Sequence, residues 1–590
     1  MSPAATTPAP SPWWRSAVTY QLYVRSFADS NSDGIGDLAG VIDRLDHLSD
    51  LGVDALWLTP CYPSPQLDTG YDVADYFDIE PDYGDLETFD RLVAAARRRG
   101  IKVLMDVVPN HCSSRHAWFQ AALAADPGSP ERERFFFRDG RGEGGDEPPN
   151  NWRSVFGGRT WTRTVDSDGS PGQWYLHTFA PSQPDFNWES PDVVNHFDDM
   201  LRFWFDRGVE GFRVDAIAVA GKAPGLPDAP PVPSDVAEND VWSHNPYTVF
   251  WPSAHDHWKH WRAVIDRYEL DHPGRSLVTV SEAYTPGRPD LLLKFIGPDE
   301  FHQSFCFDIM LTPWNAPMMR DTLASFISVL TAAGAALTWT LNNHDTQRAV
   351  TRYGRANAAE PSSWTGNNLV YIDAPIDLDV GARRARAMIT MMAALPGALY
   401  LFQGEELGLP EVFDIPDDRR QDPIFERTEG REIGRDGCRI PMPWTDDPVT
   451  AFGFSTPVGA AHVRGANQAG DTATGAAREP WLPQPTDWGQ RSAETQRGDT
   501  RSALSLYREL LAGRADIVES AELEWLLGND DELLAFRRGD LSVVLNVAPY
   551  DVDITDVVGD DMRVAMCSVA GHDDSSTVPG DACVWLRPGP

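Results

Sequence analysis

Arg213 and Asp215 stand two residues apart in the stretch GFRVDA, residues 211–216. The approach to this stretch is apolar and includes Trp204 and Val209, which is typical of a buried strand. Carboxylates and guanidinium groups are seldom fully buried unless they pair. An adjacent cation lowers the pKa of a carboxyl group and keeps it ionised for nucleophilic attack. The stretch therefore predicts either a carboxylate nucleophile or a structural Arg–Asp ion pair.

Three other apolar segments end in side chains that can move protons or hold a polar substrate. Their ends carry His111, then Glu282, then His344 and Asp345. If these segments are parallel strands of one barrel, their carboxyl ends meet at one face. Three carboxylates, two histidines and Arg213 would then lie around a single site.

Apolar strands alternate with amphipathic helices along most of the chain, and this alternation indicates a parallel sheet built from βα units. The pattern predicts strands at 17–27, 53–59, 101–108, 209–215, 276–282, 302–308, 336–342 and 398–403. It predicts helices at 38–51, 86–99, 192–207, 255–270, 317–333, 380–394 and 501–514. Eight such units predict an α/β fold, the (β/α)8 or TIM barrel.

Breaks in the alternation divide the chain into domains. The region 112–180 is rich in Gly, Pro, Asp and Trp and is too long for a simple loop, so it is predicted to be a small domain inserted after strand 3. Short alternating strands near the end predict a C-terminal antiparallel β domain. The predicted division is a disordered tail at 1–12, barrel at 13–111, inserted domain at 112–180, barrel at 181–515 with a long loop subdomain at 405–500, and the β domain at 516–590.

The amino-acid composition limits the classes of molecule that the protein can be expected to bind. The formal net charge of −38 and the pI of about 4.6 make nucleic acids and anionic membranes improbable general partners. The 21 tryptophans suit a core and also the stacking of sugar rings. An acidic, Lys-poor chain fits a high-salt cytoplasm and a GC-rich genome equally well.

The cysteines and apolar segments bear on location. Six cysteines without CxxC spacing predict free thiols in a reducing compartment, with Cys567 and Cys583 as the less favoured disulfide. The first twelve residues lack the pattern of a signal peptide, and no run of 18 apolar residues occurs. We therefore expect a cytoplasmic protein.

An acidic loop follows the first predicted strand. Oxygen ligands recur at alternate positions, and they are Asp29, Asn31, Asp33, the Ile35 carbonyl and Asp37. This spacing is typical of a Ca²⁺ loop, although the later bidentate Glu of an EF-hand is missing. The loop predicts a structural Ca²⁺, with Mg²⁺ as the other candidate ion and a solvated turn as the alternative.

Four motifs together resemble a known family. DVVPNH (106–111), GFRVDA (211–216), the glutamate of SEAY (281–284) and NNHD (342–345) resemble the four motif regions of the α-amylase family, glycoside hydrolase family 13. QPDFNW (183–188) resembles the fifth motif of the oligo-1,6-glucosidase and α-glucosidase branch, which usually has Leu where this chain has Phe186. The resemblance covers about residues 13–590, and the motifs occur in the same order as in the family. The predicted metal loop also resembles the metal loop of this branch.

The resemblance implies roles for the carboxylates. Asp215 would be the nucleophile, Glu282 the general acid/base and Asp345 the stabiliser of the transition state. A retaining glycosidase needs one ionised carboxylate below the anomeric carbon and one protonated acid near the leaving oxygen. Arg213 favours ionisation of Asp215, whereas Glu282 has no basic neighbour in sequence and so suits the acid. Asp345 and His344 can hold sugar hydroxyls.

The resemblance also implies a closed pocket for the terminal glucose. Asp68 would bind its distal hydroxyls, Tyr71 would stack beneath it, and Arg435 would pair with Asp68. Further positions of the pocket match His111, Phe156, Phe179 and Gln183. Ordinary packing is the alternative role of the two phenylalanines. A closed end implies release of single glucose units.

The expected function is therefore a retaining, exo-acting α-glucosidase that takes short α-glucosides. Ala216, next to the nucleophile, implies α-1,4 preference, because related enzymes with α-1,6 preference have Val there. A glucosyl transferase or isomerase that uses the same intermediate, such as a trehalose synthase, a sucrose-acting enzyme or a transglucosylase, is the alternative. A non-catalytic relative is disfavoured because the carboxylates are present. We expect no organic cofactor, and a monomer or homodimer.

Overall fold

The computed structural model describes residues 11–166, 168–234, 236, 238–360, 374–455, 478–517 and 522–589. The predicted tail falls almost wholly on residues outside this set, and Trp13–Arg15 already form a short 3-10 helix. Part of the predicted loop subdomain, 456–477, also lies outside the described residues.

The strands and helices of these residues have the following bounds. The strands are β1 (Val18–Leu22), β2 (Ala55–Leu58), β3 (Lys102–Val107), β4 (Phe137–Arg138), β5 (Trp161–Val165), β6 (Pro171–Leu176), β7 (Gly211–Val214), β8 (Val278–Ser281), β9 (Gln303–Ser304), β10 (Thr338–Thr340), β11 (Ala398–Phe402), β12 (Leu523–Trp525), β13 (Leu533–Arg538), β14 (Leu541–Asn546), β15 (Val552–Asp553), β16 (Met562–Cys567), β17 (Thr577–Val578) and β18 (Ala582–Pro588). The helices are α1 (Leu38–Leu51), α2 (Leu86–Arg98), α3 (Ala117–Ala124), α4 (Pro130–Glu133), α5 (Pro191–Asp206), α6 (Ser253–Asp271), α7 (Pro289–Leu292), α8 (Ala316–Ala332), α9 (Ala349–Gly354), α10 (Leu378–Ala393), α11 (Pro423–Arg427), α12 (Ala493–Arg497), α13 (Ala503–Ala515) and α14 (Thr555–Val558).

Eight parallel strands form the barrel, which confirms the predicted (β/α)8 fold. Their order is β10-β11-β1-β2-β3-β7-β8-β9. A backbone hydrogen bond from Cys306 N to Thr338 O, 2.9 Å long, spans the remaining gap between the two outer strands. The interior is filled by apolar side chains that include Trp57, Leu104 and Tyr400, so the barrel is a packed core and not a pore.

The barrel strands are shorter than predicted, and the difference is largest at β1 and β9. β1 ends at Leu22, because Val24–Ser26 turn into a 3-10 helix, whereas the sequence predicted strand to residue 27. β9 spans only Gln303–Ser304. The backbone N–H of Cys306 donates to β10 and not to β8. The hydrogen-bonded pairing of β9 with β8 therefore stops where the chain crosses to β10.

The first barrel helix illustrates how local signals set the elements. The Asp37 carboxylate accepts a 2.7 Å hydrogen bond from Gly40 N and so caps α1. Leu38, Leu45 and other apolar residues form its buried face. Gly52 adopts φ 89°, a left-handed conformation that ends the helix without a Cβ clash. The helix is thereby fixed directly after the acidic loop.

The inserted domain folds around its own aromatic core. Its three strands lie in the order β4-β6-β5, and its core includes Trp152, Trp161 and Trp174. A buried ion pair joins Lys222 Nζ, in the loop after β7, to Asp185 Oδ2 at 3.0 Å. Asp185 lies just after the domain and accepts a 2.8 Å hydrogen bond from Thr178 N within it, so it connects the domain to the loop after β7.

The C-terminal domain is an antiparallel sheet, β12-β13-β14-β18-β16, with the pair β15-β17 beside it. Trp585 Nε1 donates a 2.8 Å hydrogen bond to Thr390 O of α10. All six cysteines are free, including Cys567 and Cys583. No helix among the described residues has the length and apolarity needed to cross a membrane.

Candidate active site

A cavity of about 190 Å³ lies at the carboxyl ends of the barrel strands. Most of the predicted site residues line it: Asp68, Tyr71, His111, Phe156, Phe179, Asp215, Glu282, Asp345 and Arg435. Gln183, Arg213 and His344 lie just behind this wall, with at most 2% of each residue exposed. The structure thus brings all twelve together, nine as lining and three as their supports.

Arg213 is the centre of the charged cluster. Its Nη1 lies 2.6 Å from Asp215 Oδ1 and 2.9 Å from Asp106 Oδ1. Its Nη2 lies 2.7 Å from Glu282 Oε2. One guanidinium therefore serves three carboxylates, and the planar, permanently charged fork of arginine is the group suited to this. Glu282 has no basic neighbour in the sequence, but the fold brings Arg213 into contact with it.

The direction in which the pKa of Asp215 is shifted differs from the prediction. Burial raises the pKa of Asp215 well above its usual range, Glu282 and Asp106 raise it further, and Arg213 acts in the opposite direction. The sequence predicted a lowered pKa from Arg213 alone. The prediction was right about the sign of that single interaction, but it did not include two further carboxylates in a low-dielectric site.

Asp106 is a third carboxylate of the cluster that the sequence argument left without a role. Its Oδ2 accepts hydrogen bonds of 3.1 Å from Trp57 Nε1 and from Tyr71 OH. It is fully buried, and burial raises its pKa to about 7 in spite of Arg213. The position of this residue in the DVVPNH motif was a usable signal.

Glu282 and Asp215 differ in exposure. The side chain of Glu282 is 23% exposed and that of Asp215 is 11% exposed. The backbone N–H of Ala216 donates to Glu282 Oε2 at 3.2 Å. Ala216 itself has a left-handed backbone conformation, with φ 47°. Glu282 is the more exposed carboxyl group and is therefore better suited to exchange a proton with a leaving group and then with water.

Asp345 lies between two arginines. Its Oδ1 is 3.0 Å from Arg435 Nη1 and 3.1 Å from Arg439 Nη2, and its Oδ2 is 3.3 Å from His344 Nε2. Burial alone would raise the pKa of Asp345, but these neighbours lower it below its usual range. Burial lowers the pKa of His344 well below its ordinary value, so this ring is neutral and the arginines supply the charge. Asp345 is held as a fixed anion.

The inner end of the cavity is closed by a second arginine cluster. Arg435 Nη2 lies 3.0 Å from Asp68 Oδ1, and Arg435 Nε lies 2.7 Å from Asp422 Oδ2. Gln183 Nε2 donates to Asp68 Oδ2 at 2.9 Å. Burial raises the pKa of Asp68 to about 6, while Arg435 opposes this shift. Sequence reasoning missed Asp422, which comes from a loop without motif or periodicity.

The walls beside this end are aromatic. Arg435 lies 5.6 Å from the ring centre of Phe156, and Phe179 lies 4.9 Å from the ring of His111. Burial lowers the pKa of His111 to about 4, so the ring is neutral near pH 7. Its Nε2 is 3.2 Å from the carbonyl oxygen of Tyr71. A pocket with carboxylates at its end and rings at its sides suits a single sugar ring.

The outer half of the cavity is mainly apolar. It is lined by Val155, Ala218, Val219, Trp242, Tyr284 and Phe307. Trp242 comes from the Pro-rich loop after β7 and was not predicted. A lone tryptophan in a polar loop was the available signal, since an indole there has few core partners. The leaving group would therefore meet aromatic faces and few charges.

A second cavity, of about 300 Å³, lies away from these carboxylates between α10, α12 and α13. Glu405 is buried beside it and accepts a 2.9 Å hydrogen bond from Tyr507 OH. Burial raises the pKa of Glu405 to about 7. The larger cavity lacks the pair of facing carboxylates that glycosidic chemistry requires.

The acidic loop after β1 contains two buried carboxylates of the predicted metal site. Asp29 and Asp37 are 1% and 4% exposed. Among the described residues, no Lys, Arg or His lies within ion-pair distance of Asp29, Asp33 or Asp37. Burial raises the pKa of Asp33, and it raises the pKa of Asp37 to about 6. Buried carboxyl groups without a cation fit a hard metal ion, which prefers oxygen ligands.

The carboxylates of this loop also bind backbone. Asp29 accepts from Ser32 N at 2.6 Å and Gly34 N at 2.9 Å, and Asp37 caps α1. Within the described ranges, no group of three or more His, Cys, Asp or Glu side chains is arranged to hold a metal ion. That absence includes Asp29, Asp33 and Asp37, so the structure supports the metal only through the burial and the oxygen ligands of this loop. The donor chemistry fits Ca²⁺, and the metal stays a proposal.

Comparisons with known proteins agree with this geometry. Residues 21–520 match the family model described as alpha amylase, catalytic domain. The chain is 34% identical over 513 residues to Maltase 1 of Drosophila virilis, covering 85% of this chain and 72% of that protein. It is 31% identical over 563 residues to Oligo-1,6-glucosidase of Parageobacillus thermoglucosidasius, covering 89% and 88%. The structure matches the alpha-glucosyl transfer enzyme XgtA with a TM-score of 0.81 and 31% identity, covering 98% and 100%.

The chain therefore belongs to the α-amylase family and is a glycoside hydrolase of the glucosidase type.

Proposed function

We propose that this α-amylase family member is a retaining, exo-acting α-glucosidase that releases glucose from the non-reducing end of short α-glucosides. The observation that carries the proposal is the pair of arginine clusters at the two sides of one small cavity. Arg213 gathers Asp215 and Glu282 at the reaction side, and Arg435 with Asp68 closes the opposite end.

The first cluster supports the retaining outcome. Asp215 and Glu282 bind the two terminal nitrogens of one guanidinium at 2.6 and 2.7 Å. The shared guanidinium holds both carboxyl groups at one side of the cavity, and this supports the short separation of about 5–5.5 Å that retaining enzymes use.

The chemistry follows in two steps. Asp215 attacks the anomeric carbon while the glycosidic C–O bond breaks, and Glu282 gives its proton to the leaving oxygen. Water then adds to the same carbon as Glu282 takes a proton back and the bond to Asp215 breaks. Asp345, held as an anion by Arg435 and Arg439, binds ring hydroxyls and stabilises developing positive charge.

The second cluster supports exo action. Arg435, Asp68 and Gln183 fill the space where a further glucose unit of a longer chain would continue. Their hydrogen-bonding groups are placed to bind the hydroxyls of a terminal ring, and a polymer could not pass through them. We expect maltotetraose to give glucose and maltotriose as its first products, and not two molecules of maltose.

The test of the catalytic roles uses an aryl α-glucoside. Asp215→Asn should abolish turnover, because no glycosyl-enzyme forms. Glu282→Gln should keep more activity on substrates with good leaving groups than on maltose, since such groups need less protonation. The conservative variant Asp308→Asn, which changes a carboxyl outside the arginine cluster, is the control. Near-normal turnover by Asp215→Asn would show that the roles are assigned wrongly.

Linkage preference is the finer part of the proposal. Ala216 lines the cavity beside Glu282, where its small side chain leaves room for an α-1,4-linked ring. A methyl-scale clash is worth about 1–3 kcal/mol, or roughly 10- to 200-fold in specificity. Maltose should therefore have a higher kcat/KM than isomaltose, and Ala216→Val should narrow or reverse the ratio.

The same variant carries a structural control. A β-branched residue is strained at the φ of 47° that Ala216 adopts, so Ala216→Val should also lower the Tm. Ala216→Ser, which adds bulk without branching, separates crowding of the substrate from backbone strain. A wild-type preference for isomaltose, or an unchanged ratio in Ala216→Val, would show that this residue does not set linkage choice.

Glucosyl transfer is the second candidate. The outer wall, with Trp242, Tyr284 and Phe307, can hold an acceptor with an apolar face in place of water, and XgtA is named for α-glucosyl transfer. Incubation with maltose at high concentration separates the two outcomes: glucose alone indicates hydrolysis, and new oligosaccharides indicate transfer. Trp242→Ala should lower the transfer share and leave aryl glucoside hydrolysis largely intact.

The proposal includes a structural Ca²⁺ held by Asp29, Asn31, Asp33, the Ile35 carbonyl and Asp37. Such an ion would neutralise buried carboxylates and would take no part in the reaction, because the loop is separate from the catalytic cluster. The six free thiols suit a reducing compartment, and we place the protein in the cytoplasm as a monomer or homodimer.

A further inference from the structure

Gln21 is a buried polar residue of β1 that lies beneath the catalytic carboxylates. It is 1% exposed, and its Nε2 lies 2.6 Å from His344 Nδ1. The other ring nitrogen, His344 Nε2, lies 2.6 Å from Tyr71 OH. Tyr71 OH in turn lies 3.1 Å from Asp106 Oδ2. A continuous chain of hydrogen bonds therefore runs from the first barrel strand to the cluster around Arg213.

The donors in this chain have only one consistent order. A side-chain amide nitrogen donates and cannot accept, so His344 Nδ1 must be the acceptor. A neutral imidazole with an acceptor at Nδ1 carries its hydrogen at Nε2. His344 then donates to the Tyr71 oxygen, and the Tyr71 hydrogen is left for Asp106. With the opposite tautomer, Tyr71 would donate to His344 and Asp106 would lose a donor.

The ring of His344 is otherwise fixed in place. Its backbone oxygen accepts from Arg439 Nε at 2.9 Å, and its plane is within 6° of the Tyr71 ring. The charged and titratable groups around it are Asp345, Arg213, Arg435 and Arg439. Asp345 Oδ2 lies 3.3 Å from His344 Nε2 and also favours a hydrogen on that nitrogen, whereas the Gln21 amide, at 2.6 Å, is the group that contacts Nδ1.

We propose that Gln21 is a positioning residue that selects the Nε2–H tautomer of His344 and thereby directs the Tyr71 hydroxyl toward Asp106. Asp106 is thus kept hydrogen-bonded, and it draws less on Arg213, which remains available to Asp215 and Glu282. The kinetic part of this inference rests on the proposed glucosidase function, whereas the tautomer does not.

The tautomer is tested by ¹⁵N NMR of histidine-labelled protein, with the His344 signals assigned by their loss in His344→Asn. We expect Nδ1 to show the shift of an unprotonated nitrogen and Nε2 that of a protonated one. Gln21→Glu offers only an acceptor, so it should exchange the two states. A protonated Nδ1 in the unmodified protein overturns the proposal, even if the variants fail to fold or no glucosidase activity is found.

The coupling is tested with Gln21→Met, which keeps the volume and removes the amide. We expect kcat/KM to fall roughly ten-fold or more, as for loss of one hydrogen bond to a charged group, with kcat affected more than KM. In a Tyr71→Phe background, the same change should cost less than about two-fold, because the hydroxyl that relays it is absent. Equal losses in both backgrounds would show that Gln21 acts only through packing.

Gln303→Met is the matched control. Gln303 is another fully buried barrel glutamine, and it bonds to Trp14 O and Tyr400 OH and not to His344. It should destabilise the fold by a similar amount while leaving the ¹⁵N signals of His344 unchanged. A shift of those signals in the control would also count against a specific role for Gln21.

Discussion

Replacement of Arg435 tests the electrostatics of the closed end most sharply. This residue contacts Asp68, Asp345 and Asp422 at 3.0, 3.0 and 2.7 Å, and its side chain is 10% exposed. Arg435→Met keeps much of the volume and removes the charge. Arg435→Lys keeps the charge, but a single ammonium cannot span three carboxylates as the guanidinium fork does.

The magnitude follows from the buried contacts. Removing one partner of a buried ion pair costs about 3–5 kcal/mol of folding stability, because the other partner is left as an uncompensated charge. Removing one preorganised electrostatic group from an active site costs roughly 100- to 1000-fold in rate, so we expect kcat/KM for maltose to fall at least about 100-fold in Arg435→Met. Arg435→Lys should lie between this variant and the wild type.

The pH dependence of kcat/KM gives an independent test, because the direction of its change can be predicted. Asp68 already has a pKa of about 6 with Arg435 beside it, and Arg435 is the largest influence that lowers this value. Without Arg435 the pKa of Asp68 must rise, and Asp345 loses one of the cations that lower its own pKa. If both must be ionised, the acidic limb of kcat/KM moves to higher pH.

The assay is kcat/KM for maltose between pH 5 and 9, with Tm measured at each pH to exclude unfolding. Arg420→Met is the control, because Arg420 belongs to the same loop region and donates to the carbonyls of Ile433 and Phe413. An acidic limb that stays in place, together with a loss below about five-fold, would refute the role given to Arg435.

Two further predictions concern stability. Asp33→Ala should lower the Tm and remove its rise on addition of Ca²⁺, with little change in kcat; a wild-type protein that contains no metal by elemental analysis and does not respond to Ca²⁺ would refute the metal loop. Glu405 and Glu411 both have pKa values raised to about 7 by burial. Between about pH 4.5 and 7 the folded state therefore keeps protons that the unfolded state releases. The free energy of unfolding should fall across this pH range and stay lower above it. Glu405→Gln should therefore raise the Tm at pH 8 and leave it nearly unchanged at pH 5; equal shifts at both pH values would contradict the assignment.

The barrel could be predicted because its signals are local. Each strand is a short apolar run and each helix an amphipathic one, and residues such as Asp37 and Gly52 mark the ends of the elements. The error in the length of β9 arises because the end of this strand is set by contacts that are distant in sequence. The backbone N–H of Phe305 still bonds to β8 and that of Cys306 bonds to β10. The choice of hydrogen-bond partner is a tertiary property that the residues around 302–308 do not encode.

The site divides along the same line. Carboxylates at strand ends were identifiable because the fold places every strand end at one face. Asp422, Arg439 and Trp242 come from long loops whose path depends on the rest of the structure, so no periodicity indicated their position. The resemblance supplied Arg435, which pattern alone would not have joined to Asp68, 367 residues away in sequence.

Asp215 shows why a local reading of charge is insufficient. Arg213 alone would favour ionisation, but one guanidinium beside Asp106, Asp215 and Glu282 leaves two uncompensated negative charges if all three ionise in a buried site. The pKa values of Asp106 and Asp215 are raised, first by burial and then by the neighbouring carboxylates, so a proton held in the cluster relieves the repulsion. The proposed mechanism needs a proton on Glu282, whose side chain is the most exposed of the three. The excess of carboxylates over arginine, which the simple prediction for Asp215 did not include, therefore favours the protonated carboxyl group that this mechanism requires.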